Sequence, residues 1–439
     1  MAGRQVATIA LVRLWGALVG LVAWDPERGY GAFEYAPEFL DTGIELSPVM
    51  MPLARGPYSF PSLNRETYRG LPGTMADSLP DKFGNSLIDQ WLAESGRRPE
   101  SFNPVERLMY VGRRGMGALE YHPAIDRAES GHIALNIEEL VKLSSRVLAI
   151  KEGQRFTLSP DNTSDNVEGL GKILAVGTSA GGARAKAIIA WNETTGDVRS
   201  GQIDAGADFT YWLIKFDGVS DNRDKELADP LGYGRIEYAY YLMAIDAGIE
   251  MTRCRLMEEN GRAHFMTRRF DRTDDGQKLH IHSLCALGHH DFNAPGATSY
   301  EQAFLLCRQL GLGMAAREQL FLRMAFNVMA YNRDDHSKQI AFLMDKSGPW
   351  RLSPAYDMTY AFNPFGEFSY RHQMTINRKR DHVGDDDLLA VAHRQGLNRA
   401  SAHRLLNTVR EVTNHWHSYA IQARVQEEQQ EKIARLIVR

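Results

Sequence analysis

Residues 331–358, which read YNRDDHSKQIAFLMDKSGPWRLSPAYDM, carry the residue types that phosphoryl transfer requires. That reaction needs a carboxylate to accept the proton of the attacking hydroxyl, and oxygen donors to hold the metal ions that bridge the phosphates. Asp334 follows a long apolar stretch with helical spacing, and Gln339 lies five residues after it. A hairpin is predicted over residues 340–352. Because a hairpin folds back on itself, it can bring Asp357 close to Asp334 although 23 positions separate them.

Two upstream features are suited to holding phosphates. Lys215 lies in the apolar run YWLIKF, which predicts a lysine on a buried strand, and Glu237 in the following predicted helix is the candidate partner for its ammonium group. The glycine-rich stretch 177–186 (GTSAGGARAK) can cradle phosphates with backbone amides, although it lacks the GK[ST] ending of a P-loop. The alternatives are a solvent-facing lysine, an ordinary surface loop and, for the Asp334–Asp335 pair, a solvated turn or helix cap.

The elements that must position these residues change in type along the chain. Residues 6–24 predict two short buried strands with a turn near Trp15–Gly16; the alternative is a membrane or targeting segment. Further strands are predicted at 173–176, 187–191, 211–216, 251–257 and 263–270, and helices at 86–95, 136–148, 233–248, 300–310, 316–331, 386–394, 399–419 and 425–438. A polar surface excursion is predicted at 151–168. Strands first and helices later indicate an α+β fold with segregated lobes.

Composition sets the broad class. The 439 residues allow two or three domains, and the net charge of −4 gives no sequence-wide attraction to nucleic acid or anionic lipid. Three widely spaced cysteines argue against a disulfide framework and against structural zinc, so a reducing cytoplasm is the simplest compartment.

Histidines suggest a competing zinc-hydrolase hypothesis, but they lack the i,i+4 spacing of a zinc-binding helix. We therefore predict surface or loop positions for His280, His282, His289, His290, His372 and His382. His336 and Lys338 differ because they lie inside the Asp334 loop. His336 is predicted to orient Asp334 or the loop backbone, and Lys338 is predicted to contact the γ-phosphate region. Solvent exposure is the alternative for each.

Several motifs together resemble the HipA-like serine/threonine kinases, the toxin halves of bacterial type II toxin–antitoxin modules. The motifs are SAGGARAK (179–186), LIKF (213–216), FMTRRFDR (265–272), NRDDHSK (332–338) and LSPAYDM (352–358). Near the N-terminus, MMPL, SFPSLN, RGLPG, LPDKFGN and RGMGALEY resemble that family's additional N-terminal subdomain. The likeness spans about residues 6–420. The stretch 291–302 also resembles the family, and we interpret it as a lobe-joining loop or part of a substrate groove.

The resemblance implies a two-lobed protein-kinase-like fold. It would comprise a strand-rich N-terminal subdomain (1–125), a region with the glycine-rich loop and the ATP-binding lysine (126–275), and an all-helical C-terminal lobe (276–439). The implied nucleotide-binding residues are Ser179, Gly181, Gly182, Lys215, Glu237, Thr267, Arg268 and Phe270, with 267–270 near the adenine. Asp334 is implied as the catalytic base, assisted by His336 and Lys338, while Gln339 and Asp357 would hold Mg²⁺. Ser179 matches a position of autophosphorylation, which silences the kinase.

The resemblance also implies partners. These are a cytoplasmic protein substrate such as an aminoacyl-tRNA synthetase, and a small helix-turn-helix antitoxin through which DNA is contacted indirectly, without a membrane. One position departs from the family, which usually has asparagine where this chain has Gln339. Because Mg²⁺ demands near-octahedral geometry, a nucleotide-binding partner of a repressor without turnover stays open as an alternative. A small-molecule kinase on the same fold is a further alternative.

Overall fold

The computed structural model describes residues 8–94, 96–123, 140–142, 144, 184–202, 204–219, 223–224, 227–228 and 231–438. Some of the predicted features lie outside the described residues. These are most of the helix at 136–148, the excursion at 151–168, the strand at 173–176, and Ser179, Gly181 and Gly182 of the glycine-rich loop.

A four-stranded antiparallel sheet in the order β3-β2-β1-β4 begins the N-terminal region. Its strands are β1 (Thr8–Leu14), β2 (Ala17–Asp25), β3 (Tyr30–Tyr35) and β4 (Leu119–His122). The two strands predicted for residues 6–24 are confirmed. The turn between them uses positive φ angles of 51° at Trp15 and 87° at Gly16, and glycine adopts that conformation without steric cost. In the part of the chain that is described, no helix has the length and apolar character to cross a bilayer.

Short helices complete the N-terminal region: α1 (Pro37–Leu40), α2 (Arg65–Tyr68), α3 (Gly73–Ala76), α4 (Lys82–Glu94) and α5 (Pro104–Val111). Helix α4 begins four residues before its predicted start, because Asp81 Oδ1 accepts a hydrogen bond of 2.6 Å from the Gly84 N–H and so caps the first turn. Its apolar residues Phe83 and Leu87 belong to the core of the central sheet and not to the N-terminal core. Helix α4 is therefore a bridge between two parts of the chain.

The central sheet is antiparallel, in the order β10-β11-β7-β5-β6. Its strands are β5 (Lys186–Trp191), β6 (Val198–Ser200), β7 (Thr210–Lys215), β10 (Cys254–Glu259) and β11 (Arg262–Arg268), and β8 (Arg223–Asp224) pairs separately with β9 (Leu227–Ala228). Helix α6 (Tyr233–Asp246) approaches β11 so closely that a Cβ on Gly234 would lie 2.2 Å from the Ala263 carbonyl oxygen. Glycine at that position lets the helix that carries Glu237 reach the sheet that carries Lys215.

The C-terminal region is mainly helical. Its helices are α7 (Leu284–Gly288), α8 (Tyr300–Gln309), α9 (Met314–Met329), α10 (Asp385–Arg394), α11 (Arg399–Asn414), α12 (Trp416–Gln422) and α13 (Glu427–Ile437). The predicted core methionines Met324 and Met329 are buried. The prediction of a single helix at 399–419 is wrong, because the helix is interrupted at His415. The next residue, Trp416, is buried, and its indole N–H donates to the Gln430 carbonyl at 3.0 Å.

The expectation of an all-helical C-terminal lobe is also wrong. Strand β12 (His280–Ser283) pairs with the predicted hairpin, β13 (Ala341–Met344) and β14 (Trp350–Leu352), in a three-stranded antiparallel sheet. A four-residue strand with two histidines has no apolar alternation, so it gave no strand signal in the sequence.

The same strand overturns the surface assignment of two histidines. His280 and His282 are 1% and 2% exposed and pack against Trp350, with ring centroids 5.5 and 6.4 Å away. Burial lowers the pKa of His280 well below its ordinary value, so it packs as a neutral aromatic ring. His372 is buried as well, against Asp335, whereas His382 is exposed as predicted.

The N-terminal region docks on the C-terminal region through polar contacts around an apolar seam. Cys285 and Met344 belong to the N-terminal core cluster, and Asp77 accepts hydrogen bonds from the backbone N–H and the hydroxyl of Ser283 at 2.9 and 2.8 Å. Asp291 accepts from the side chains of Asn64, at 2.7 Å, and Thr67. The beginning of the 291–302 stretch therefore joins the two regions.

The docking surface is expected to weaken in acid. His289 Nε2 accepts the Gly73 N–H at 3.1 Å, and burial, followed by the nearby His290, lowers the pKa of His289 to about 4. The folded state then binds fewer protons than the unfolded state. The contribution of His289 to the free energy of unfolding is therefore present above pH 6.5 and is lost as the pH falls toward 4, at up to about 1.4 kcal/mol per pH unit. In His289→Asn, where asparagine tolerates the positive φ of 51°, we expect a smaller decrease in melting temperature from pH 7 to pH 5 than in wild type. Equal decreases would contradict this assignment.

Candidate active site

Lys215 lies at the centre of a cluster of charged side chains from three separate elements. Its Nζ is 2.5 Å from Glu237 Oε1 on α6 and also contacts Asp357 Oδ1, which follows the hairpin. The Lys215 and Glu237 side chains are only 14% and 2% exposed. Burial alone would lower the pKa of Lys215, but Asp357 and Glu237 outweigh it and raise that pKa, so the ammonium stays charged. The predicted pairing of Lys215 with Glu237 is confirmed.

Asp357 has an unusual backbone and a strongly acidic carboxyl group. Its φ of 53° lies in the left-handed region, which aspartate tolerates better than most residues. Burial would raise the pKa of Asp357, but Lys215, then Lys186, and the nearby Gln339 amide lower it to about 2. Gln339 therefore lies directly beside the carboxylate with which it was predicted to share a metal ion.

The segments that carry Asp334 and Asp357 are held side by side. Asn332 forms a parallel bridge with Ala361, in which Arg333 N donates to the Ala361 carbonyl at 3.0 Å and Ala361 N donates to the Tyr331 carbonyl at 3.1 Å. The hairpin predicted between the two segments is present, so the hairpin and the Asn332–Ala361 bridge both hold the segments next to each other. The bridge thus brings together two chain segments whose acids, Asp334 and Asp357, lie 23 positions apart in the sequence.

The adjacent carboxylates Asp334 and Asp335 have different environments. The Asp335 side chain is 1% exposed and accepts hydrogen bonds from Tyr300 Oη at 3.0 Å and Gln373 N at 2.7 Å, with His372 Nδ1 at 2.8 Å. Asp334 is 22% exposed and lies 3.8 Å from His336 Nε2. Asp335 is thus an anchor of the loop, and Asp334 is the carboxylate accessible to a ligand.

A buried chain of polar groups extends from that anchor. Asn327 Nδ2 donates to Tyr300 Oη at 2.9 Å, and Asn332 Nδ2 donates to Asn327 Oδ1 at 2.9 Å. The backbone of residues 332–335 is therefore tied to helices α8 and α9 from both ends. Sequence reasoning missed this network, since neither Asn327 nor Tyr300 differs from an ordinary helix residue in the sequence.

His336 and Lys338 lie in the same loop and face the 291–302 stretch. Phe292 contacts both, with its ring centroid 5.4 Å from the His336 ring and 4.7 Å from Lys338 Nζ. The Lys338 carbonyl accepts a hydrogen bond from Tyr356 Oη. The contact with Phe292 connects the loop to the joint between the N-terminal and C-terminal regions.

The residues predicted near the adenine lie at the end of β11. Thr267 pairs in register with Leu213, so it lies on the same sheet face as Lys215, and Phe270 packs on Tyr356 with ring centroids 5.5 Å apart. The Arg268 side chain instead pairs with Asp274 at 2.9 Å near the surface. The structure therefore groups Thr267 and Phe270 with the site but not the Arg268 side chain.

One lysine of the site escaped the site assignment from sequence. Lys186 is the Cα partner of Lys215 in the neighbouring strand, so both side chains project from one face. Its side chain is 3% exposed, and its Nζ lies 3.1 Å from Asp81 Oδ2. Lys186 is the last residue of the SAGGARAK motif. The sequence offered one signal for it: Lys186 is the first residue of an apolar strand, just as Lys215 is the last residue of another.

The donor set suits a hard cation bound together with phosphate. Mg²⁺ is usually held by one or two carboxylates plus substrate phosphates, and Asp357 with the adjacent Gln339 amide provides oxygen ligands of that kind. Within the described part of the chain, no group of three or more histidine, cysteine or acidic side chains forms a complete metal cage. Asp357 and Gln339 thus have the ligand types that fit a phosphate-bound Mg²⁺.

Sequence families match the two parts of the chain. The HipA N-terminal domain matches residues 10–122, and the HipA-like C-terminal domain matches residues 178–416. The chain belongs to the HipA-like family. No curated protein matches it in sequence.

Solved structures agree with this HipA-like assignment at the level of the fold. The HipA complex of Shewanella oneidensis MR-1, crystallised with HipB and its operator DNA, matches with a TM-score of 0.66 and 16% identity, covering 98% of this chain and 95% of that one. The Helicobacter pylori proinflammatory kinase CtkA gives a TM-score of 0.32 and 9% identity over 52% of this chain and 88% of its own.

The contrast between the two neighbouring aspartates leads to a stability prediction. Asp335→Asn removes a buried acceptor from Tyr300, His372 and the Gln373 N–H, so we expect it to lower the free energy of unfolding by about 1–3 kcal/mol. Asp334→Asn, at a more exposed carboxylate, is the matched variant and should cost less than about 0.5 kcal/mol. Urea unfolding of both variants checks this, and a larger loss for Asp334→Asn would reverse the assignment of anchor and accessible acid.

Proposed function

We propose that this HipA-like chain is an ATP- and Mg²⁺-dependent serine/threonine protein kinase. The observation that carries the proposal is the convergence of Lys215, Glu237 and Asp357 beside a loop that presents Asp334. A buried lysine held between two acids, with a metal-binding carboxylate past a hairpin, is the set of groups that phosphoryl transfer uses. The strand-rich and helical regions would then serve as the two lobes of a kinase, with the N-terminal region as an additional domain.

The roles follow from exposure and charge. Lys215 would neutralise the charge of the ATP phosphates. Asp334 would accept the proton of a serine or threonine hydroxyl on the substrate. The hydroxyl oxygen would form a bond to the γ-phosphorus while the bond from that phosphorus to the bridging oxygen of ADP breaks. Asp357 and Gln339 would hold Mg²⁺, which would supply positive charge to offset the charge of the phosphates. His336, whose Nε2 lies 3.8 Å from Asp334, would orient that carboxylate, and Lys338 in the same loop would contact the γ-phosphate region.

The partner proposal comes from the fold neighbour. That HipA is bound to HipB and operator DNA, and we propose that this chain likewise binds a small helix-turn-helix antitoxin. The net charge of −4 favours indirect contact with DNA through that partner. A cytoplasmic protein such as an aminoacyl-tRNA synthetase is the proposed substrate, and Ser179 in the glycine-rich loop is the proposed autophosphorylation site.

Incubation with γ-labelled ATP and Mg²⁺ tests the kinase proposal. We expect label on Ser179 in wild type and a loss of at least about 100-fold in Asp334→Asn, because removal of a general base costs about 10²–10⁴-fold. The matched control is Asp345→Asn, a carboxylate in the hairpin turn that is 42% exposed and pairs with Arg351. Absence of label in wild type, or equal label in Asp334→Asn, contradicts the proposal, and label retained in Ser179→Ala would move the modified residue elsewhere.

One observation favours a second function, that of a nucleotide-binding partner without turnover. Gln339 stands where the family usually has asparagine, and it lies close enough to lower the pKa of Asp357, the carboxylate that would hold Mg²⁺. In this alternative ATP binds but no phosphoryl group is transferred at any Mg²⁺ concentration.

Gln339→Asn separates the two functions. The shorter side chain is expected to lower the Mg²⁺ concentration for half-maximal activity several-fold, because outer and inner ligand geometry controls metal affinity over a range of about 10–100-fold. A titration of phosphoryl transfer against Mg²⁺ measures this, with Gln339→Ala as the variant that lacks the amide. Unchanged Mg²⁺ dependence in both variants would show that residue 339 is not a metal ligand.

A further inference from the structure

A second buried ion pair connects the N-terminal region to the central sheet. Lys186 Nζ lies 3.1 Å from Asp81 Oδ2, and the two side chains are 3% and 6% exposed. A buried ion pair contributes little net stability, because desolvation of both charges opposes their attraction. Its presence therefore calls for a role other than stability.

The sheet register shows what this pair achieves. Lys186 and Lys215 are direct cross-strand partners on β5 and β7, and like charges placed directly opposite each other repel. Each lysine has its own acid from a different direction: Glu237 and Asp357 for Lys215, and Asp81 for Lys186. The N-terminal region thus supplies the carboxylate that lets a second ammonium group stay on this face.

Asp81 is rigidly held where it meets Lys186. Its Oδ1 caps α4 at Gly84 N, and its carbonyl accepts from the backbone N–H and the side-chain Nδ2 of Asn85 at 2.8 and 2.9 Å. Phe83 and Leu87, which follow it, are fully buried against the central sheet. The position of Oδ2 is therefore determined by helix packing and not by a flexible side chain.

Lys186 is close enough to the proposed metal-binding acid to act on it. Lys215 Nζ contacts Asp357 Oδ1, and Lys186 projects from the same sheet face as the direct cross-strand partner of Lys215. A displaced Lys186 ammonium would change the charge balance at Asp357 and at the face where phosphates would lie.

We propose that Asp81 is a positioning residue for the nucleotide site, a carboxylate of the N-terminal region that holds the Lys186 ammonium beside Lys215. This inference rests on the proposed function, since it concerns the same site. It makes the N-terminal region a structural part of that site. ATP affinity would then depend on the docking of α4 on the central sheet.

Asp81→Asn in the full chain tests the proposal, because asparagine keeps the cap at Gly84 and removes the charge. Isothermal titration with ATP and Mg²⁺ should give a Kd raised about tenfold, because Lys186 loses the anionic partner of a buried ion pair. Asp89→Asn is the matched control: it lies on the same helix and pairs with Arg107 at 2.8 Å, but its side chain is 42% exposed. That control should bind ATP within about twofold of wild type.

A double-mutant cycle with Lys186→Met separates positioning from general damage. If Asp81 acts through Lys186, Asp81→Asn should leave the Kd of the Lys186→Met variant unchanged, since coupled residues are not additive. If Asp81→Asn does not fold, Asp81→Glu keeps the charge at an altered distance and should raise the Kd by a smaller factor, about threefold. Melting temperatures of all variants are measured in parallel.

Three outcomes overturn the inference. A lower melting temperature with an unchanged Kd in Asp81→Asn would mean a purely structural ion pair. The same fold-change with and without Lys186 would mean that Asp81 acts by another route. A wild-type chain that binds no ATP would overturn the proposed function and this inference together, whereas wild-type binding with an unaffected Asp81→Asn overturns the inference alone.

Discussion

The candidate site depends on keeping the Lys215 ammonium group charged inside the protein. An isolated buried ammonium is unfavourable by many kcal/mol, so it must have anionic partners or lose its proton. Here the partners come from helix α6 and from the segment after the hairpin, and removal of one partner from a buried pair costs roughly 3–5 kcal/mol. Sheet, helix and hairpin therefore have to be assembled correctly before the cluster can exist.

Several structural details follow from that requirement. Gly234 lets α6 approach β11, because any side chain there would collide with the Ala263 carbonyl. Asp357 adopts a left-handed backbone conformation as the chain leaves the hairpin, and the bridge between Asn332 and Ala361 fixes that segment against the Asp334 loop. Asp335 anchors the loop through its hydrogen bonds with His372 and Tyr300. Each contact constrains backbone near the site and leaves the Asp334 carboxylate accessible.

The N-terminal region is integrated with this arrangement. Cys285 and Met344 complete its core, and Asp77 and Asp81 extend from it to Ser283 and Lys186. Phe83 and Leu87 of α4 belong to the core of the central sheet. An N-terminal region attached in this way shares packing contacts with both the central sheet and the C-terminal region.

The sequence alone determined the local elements and the candidate acids and lysine. The runs at residues 6–24 and 211–216, the helix carrying Glu237 and the hairpin before Asp357 have strong local periodicity, and the structure contains all of them. The sequence selected Asp334, but only the tertiary structure showed how Asp335 differs from it, because that difference lies in partners more than thirty residues away, Tyr300 and His372. It likewise revealed Lys186 with Asp81, the buried strand with His280, and the break at His415. These depend on strand register, desolvation and long-range packing, which a one-dimensional pattern does not encode.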